Sequence, residues 1–170
     1  MRKFVALAFV CVAVLAARPA VADVAVGQPA PQLVAKEVNG PSFDLGAQRG
    51  KVVIVNFWAT WCVPCRQEMP AIDAFYHAHR NEGVEVIGLS VDRSRDRGNV
   101  QKVMKAFTYP AAMESDATVN GFGKPHVLPV TYVVDASGVV RAALRPDEDP
   151  VTESSLSKVV LPLLHAHPAQ

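Results

Sequence analysis

The sequence predicts an α/β fold, a central mixed β-sheet flanked by helices with an N-terminal β-hairpin. Three observations predict it. Lys51–Trp58 (KVVIVNFW) is a continuous apolar run rich in β-branched residues, the pattern of a strand buried on both faces. From about Pro64 to Arg80, Met69, Ile72, Phe75, Tyr76 and His79 recur at helical spacing, and Val84–Val91 is then a second apolar strand. A β–α–β order implies a parallel pair with a right-handed crossover.

The remaining elements follow in order. Gln32–Ala35 and Ser42–Leu45 flank Asn39-Gly40, a hairpin signal. Pro70 lies inside the first helix and removes one backbone hydrogen bond, so a kink is expected there; Gly83 ends that segment. Asp92–Gly98 reads as a solvated, charged connection, and Asn99 as the cap of a helix running to about Phe107. A short helix is predicted near Asp116–Asn120, ending at Gly121. Val130–Val134 and Val139–Ala143 form a hairpin through Asp135-Ala136-Ser137-Gly138, and Thr152 or Glu153 to Leu164 reads as a last helix. Helices on both faces of the sheet are the simplest packing.

Composition fits one globular domain. The chain has 170 residues, 50% of them hydrophobic and 19% charged. A chain of about 150 residues buries roughly 70% of its unfolded surface, enough for a core without staples. Arg2-Lys3, the apolar run Phe4–Ala17 and the small-residue site Ala20-Val21-Ala22 read as a secretory signal cut before Asp23. The alternative is an uncleaved anchor, for which fourteen residues fall short of the roughly 20 that span a bilayer. The expected organisation is thus a signal peptide over 1–22 and one domain over 23–170. Without the leader, 14 basic and 16 acidic residues remain, which favours no nucleic-acid partner.

Cys11 lies in the leader, so the mature chain holds two cysteines, both in Cys62-Val63-Pro64-Cys65. An exported compartment permits disulfides. A structural disulfide stabilises most when it closes a long loop, so a two-residue gap points to reactivity. Cys62 follows a buried strand and opens a helix. Unpaired N–H groups and a positive partial charge at that end stabilise a thiolate and lower its pKa below the roughly 8.5 of free Cys. The thiolate is the attacking species in thiol–disulfide exchange, so Cys62 is assigned as nucleophile and Cys65, one turn in, as resolving thiol. A zinc site needs four ligands, and no second pair or histidine set stands at the required spacing.

The stretch Asn56-Phe57-Trp58-Ala59-Thr60-Trp61-Cys62-Val63-Pro64-Cys65-Arg66-Gln67-Glu68-Met69-Pro70 resembles the active-site segment of TlpA/ResA-type thioredoxin-like proteins. The resemblance extends from Gly27-Gln28-Pro29-Ala30-Pro31 through Gly50-Lys51-Val52-Val53 to Leu128-Pro129-Val130-Thr131-Tyr132 and Gly138, most of the mature chain. It implies a thioredoxin fold, a periplasmic or extracytoplasmic location, and disulfide reduction, often in cytochrome c maturation. It also implies that Pro129 is a cis-proline lying against the disulfide, leaving the Leu128 backbone free to pair with a substrate segment, as in strand addition. Trp61 would shield the nucleophile and offer a contact surface. Spacing leaves Glu68 either a proton shuttle for Cys65 or a solvated acid near a helix start; the resemblance favours the shuttle. Asn56 departs from the titratable Asp usual in thioredoxins. Arg66 reads as solvated, and His126 as a loop residue three before Pro129.

The leading expectation is therefore an exported thiol–disulfide oxidoreductase, a reductant with no cofactor beyond its redox-active Cys62–Cys65 disulfide. Its expected partners are protein disulfides and a membrane thiol-reductant donor, with the protein itself a monomer. Two alternatives are a peroxiredoxin-like peroxidase, which lacks its P-x3-T-x2-C setting here, and a copper chaperone using the thiolates with His126.

Overall fold

A computed structural model describes residues 24–166. The expected signal peptide over 1–22 lies outside the described residues. Among those residues, no helix is long and apolar enough to cross a membrane.

The elements are β1 (Leu33–Glu37), β2 (Ser42–Asp44), β3 (Val52–Trp58), α1 (Val63–His79), β4 (Val84–Ser90), α2 (Arg97–Met104), β5 (Ala111–Asn120), β6 (Val130–Val134), β7 (Val140–Leu144) and α3 (Glu153–Ala166). The seven strands form one mixed sheet in the order β2-β1-β5-β4-β3-β6-β7. β3, β4 and β5 run parallel, and the other pairs are antiparallel. β3 lies at the interior of the sheet with all seven residues buried, as its unbroken apolar run requires. Gly83, at φ 99°, turns the chain out of the helical segment into β4.

Three expectations are corrected. Asp116–Asn120 is not a short helix but the second half of the ten-residue β5. Its composition is turn-like, yet β1 supplies an antiparallel ladder, pairing Leu33 with Asn120, Val34 with Val119 and Ala35 with Ala117. Non-local pairing overrides local propensity there. α2 starts at Arg97, with Asp96 rather than Asn99 at its N-cap, and ends at Met104 rather than Phe107. The helices also gather on one face. The strand order steps β3, β4, β5 in one direction, so two right-handed crossovers place α1 and α2 together, and α1 packs on α3. On β3, Phe57 and Trp58 point to opposite faces. Phe57 meets Phe122, from the loop after β5, and Tyr132, with ring centroids 6.0 and 6.3 Å away.

Before β1, residues 27–30 run along the outer edge of β7. Gly27 N–H donates to Val140 O at 2.7 Å, Val140 N–H to Gln28 O at 2.9 Å, and Ala30 N–H to Gly138 O at 2.8 Å. The β6–β7 turn is clasped by Asp135, which accepts from Val139 N–H and Ser137 Oγ and pairs with Arg141.

Candidate active site

The site forms where β3 hands over to α1. Cys62 is the N-cap of α1, with extended backbone, and Pro64 stands within the first turn, where a missing N–H costs nothing. The Cys65 N–H points at Cys62 Sγ at 3.2 Å, and the Arg66 N–H bonds Cys62 O at 3.2 Å. Here a sulfur occupies the position that a Ser or Asp oxygen takes in an ordinary N-cap. The two cysteines are joined in a disulfide with their Cα atoms 5.3 Å apart. Cys65 is 1% exposed and Cys62 6%, so the outer sulfur is the one a partner reaches first.

The turn carrying Cys62 is tied to the neighbouring strand. Val91 N–H donates to Trp58 O at 2.9 Å. Asp92, buried just after β4, accepts from the Thr60 backbone N–H at 2.8 Å, from Thr60 Oγ1 at 2.7 Å and from Ser90 Oγ at 2.7 Å. Sequence reasoning assigned Asp92 to a solvated loop and missed this role. The available signal was an acid placed directly after a buried strand whose parallel neighbour leads to the cysteines.

Glu68 is buried rather than solvated, one turn below Cys65 on α1. Its Oε1 accepts the Val151 N–H at 3.2 Å, and its Oε2 has no hydrogen-bond partner. Burial pushes its carboxyl above the usual carboxylate range, against the smaller opposing effect of the Val151 bond. Val151, ahead of α3, carries no sequence signal for this contact.

The peptide bond between Leu128 and Pro129 is cis. The adjoining strand is pinned to the active-site strand: Asn56 pairs with Thr131 across β3 and β6, and its Nδ2 donates to Thr131 Oγ1 at 2.8 Å. Asn56 thus acts as a buried strand-to-strand link. Trp61 is 68% exposed and Val63 66%, so large apolar surfaces flank the buried Cys62. His126 lines a separate cleft of about 270 Å³ with Phe122, Lys124, Tyr132 and Arg145. Arg66 is exposed and lines a groove between α1 and α2. Among the described residues, no group of three His, Cys, Asp or Glu side chains converges on one point.

The AhpC/TSA family model matches residues 26–143. Thiol-disulfide oxidoreductase ResA of Geobacillus thermodenitrificans (strain NG80-2) is 36% identical over 121 residues, covering 69% of this chain and 68% of that protein. ResA of Geobacillus kaustophilus (strain HTA426) is 34% identical over 120 residues, with the same coverage. Among solved structures, a thiol:disulfide interchange protein of the thioredoxin family from Chlorobium tepidum TLS matches with a TM-score of 0.68 at 28% identity, covering 82% of this chain and 98% of that one. With its Cys62–Cys65 disulfide at the start of α1 of a thioredoxin-like sheet, the chain belongs to the AhpC/TSA family as a ResA-like thiol–disulfide oxidoreductase.

Proposed function

We propose that the protein is an extracytoplasmic reductant of protein disulfides, recharged by a membrane thiol donor and acting on the disulfides of c-type apocytochromes. The observation that carries the reading is Cys62 at the N-cap of α1, where the Cys65 N–H already points at its sulfur. Once the pair is reduced, that N–H and the helix terminus favour Cys62 as thiolate. The ResA relatives, named as thiol-disulfide oxidoreductases, support the chemistry, and the apolar leader ahead of residue 23 supports the compartment.

The chemistry balances as a two-electron exchange. Cys62 Sγ⁻ attacks one sulfur of the client disulfide, a Cys62–client bond forms, and the other client sulfur leaves as thiolate and takes up a proton. Cys65 then loses its proton, and its thiolate attacks Cys62 Sγ. The second client thiol leaves, and the Cys62–Cys65 bond remains. Glu68, buried one turn from Cys65 with Oε2 unpartnered, is the proposed acceptor of the Cys65 proton. Trp61 and the Leu128-Pro129 loop are the proposed contacts for the client chain, Leu128 offering its backbone for strand-like pairing.

Cys65→Ser protein expressed in the exporting cell tests this. It is expected to accumulate mixed disulfides on Cys62 with proteins bearing paired cysteines, c-type apocytochromes among them. Absence of any such adduct, or a reduction potential above about −150 mV, near those of strong oxidants, overturns the reductant reading.

A further inference from the structure

A groove of about 560 Å³ lies between α1 and α2, opening beside the redox turn at Thr60, two residues from Cys62. Its charged and amide groups are Arg66, Lys102 and Asn99, all exposed, and no acidic side chain lines it. Its apolar lining comes from Met69, Val103 and Phe107. Asp73, further along α1, is not among the lining residues and is engaged by Thr108, whose backbone N–H and Oγ1 donate to its Oδ1 at 2.6 and 2.9 Å. Asp92, beside Thr60, is buried and engaged by Thr60 and Ser90.

The charge is local to this end of the molecule. Residues 93–105, the approach to α2 and α2 itself, carry five basic side chains and one acidic, while the chain as a whole is nearly neutral. Of those five, Arg97 pairs with Asp116 of β5, and among the described residues no ion pair engages Arg93, Arg95, Lys102 or Lys105. A cationic rim over an apolar floor, at one end of a redox turn, complements a carboxylate next to an apolar side chain.

We propose that this groove is a specificity surface that takes an acidic, apolar-flanked segment of the disulfide-bearing protein while Cys62 attacks its cysteine. The proposal rests on the reading of protein disulfides as substrates and adds which of them are preferred. Arg66 and Lys102 face the carboxylate, and the half-buried Val103 and Phe107 receive the apolar neighbour. Each contact between exposed charges is worth roughly 1.4- to 5-fold in an equilibrium constant. Reversing one of them exchanges attraction for repulsion and shifts the preference by about 2- to 25-fold.

The test uses the full-length reduced protein and three peptides with one intramolecular disulfide, identical except for flanking Glu-Leu, Gln-Leu or Lys-Leu. The ratio of kcat/KM for the Glu peptide over the Gln peptide is expected to exceed about 2 at low salt and to approach 1 at 0.5 M salt, where the Debye length falls to about 4 Å. Lys102→Glu is expected to bring that ratio to 1 or below, and Lys158→Glu on α3, an equal change in net charge elsewhere, to leave it unchanged. Equal rates for the Glu and Gln peptides, a preference that survives high salt, or a Lys158→Glu effect equal to that of Lys102→Glu overturns the proposal. The wild-type salt series keeps the test valid if the Lys102→Glu chain fails to fold. If no peptide is reduced at all, the reading of the substrate class fails first, a result distinct from equal rates.

Discussion

Replacing Asp92 by Ala removes a carboxylate that holds three donors at 2.7–2.8 Å in a buried position. A hydrogen bond to a charged group contributes about 1.5–3 kcal/mol, but three bonds on one carboxylate do not add. The Thr60 and Ser90 donors left unpaired cost about 1–3 kcal/mol each and do not add fully, so about 3–5 kcal/mol is the expected loss for Asp92→Ala. Asp92→Asn retains an acceptor for the Thr60 and Ser90 donors on Oδ2, and its amide can donate to a rotated Thr60 hydroxyl, so about 1–2 kcal/mol is expected. Thr60→Val deletes one of the three bonds to the carboxylate and should cost about 1.5–3 kcal/mol. A domain of this size loses about 2–4 °C of melting temperature per kcal/mol, which gives drops of roughly 6–20 °C, 2–8 °C and 3–12 °C in that order. Thermal and urea unfolding of the oxidised proteins measure them. The same tether positions Thr60 ahead of Trp61 and Cys62, so Asp92→Ala should also lower kcat/KM on protein disulfides about 10-fold below the melting range. The reasoning is refuted if Asp92→Ala unfolds within about 0.5 kcal/mol of the parent, or if Asn costs as much as Ala.

Alkylation of the reduced protein over a pH series should give Cys62 an apparent pKa below the roughly 8.5 of free Cys, with Cys65 reacting more slowly at every pH because it is the deeper sulfur. Glu68 has a folded pKa raised by burial, so its contribution to stability is present below the unfolded value and lost as pH rises through the folded value. Melting curves should therefore show a decline that begins near the ordinary value of 4.5 and is absent in Glu68→Gln. The same variant should slow the Cys65 step, so stopped-flow traces should show the mixed disulfide lasting several-fold longer; unchanged decay removes Glu68 from proton transfer. Trp61→Ala removes a side chain that is 68% exposed, so unfolding should shift by less than about 0.5 kcal/mol while kcat/KM for protein disulfides falls and that for a small dithio reagent stays within about 2-fold.

Much of this molecule was legible because its signals are local. The apolar run of β3, the Asn39-Gly40 hairpin and the Cys-Val-Pro-Cys turn each carry their information within about eight residues. Asp116–Asn120 was read as a short helix because Asp and Asn are poor strand formers and Gly121 follows as a stop, and Glu114 to Asn120 mix half-buried and exposed positions without the strict alternation of a strand. Only β1, some 80 residues earlier and paired through a register shift between Val34 and Ala35, makes that segment a strand. The single helical face follows from the same strand, which extends the β3-to-β4 step by one more crossover. The burial of Glu68, itself a candidate from sequence, and the role of Asp92 were hidden for a related reason. Their partners, Val151 and Thr60, lie 83 and 32 residues away, and an acid in sequence does not announce a buried acceptor.

The segment over 27–30 that borders β7 has a bearing on the chains this protein meets. A sheet of seven strands ends in two open margins, and an unpaired margin templates any extended peptide nearby. Here one margin is β2, only three residues long with its end residues Ser42 and Asp44 exposed, and the other is occupied by the protein's own segment at Gly27, Gln28 and Ala30. A margin covered in this way offers no row of free N–H and C=O groups for an extended chain to join. Deleting residues 24–30 should expose that margin and make the protein self-associate in light scattering.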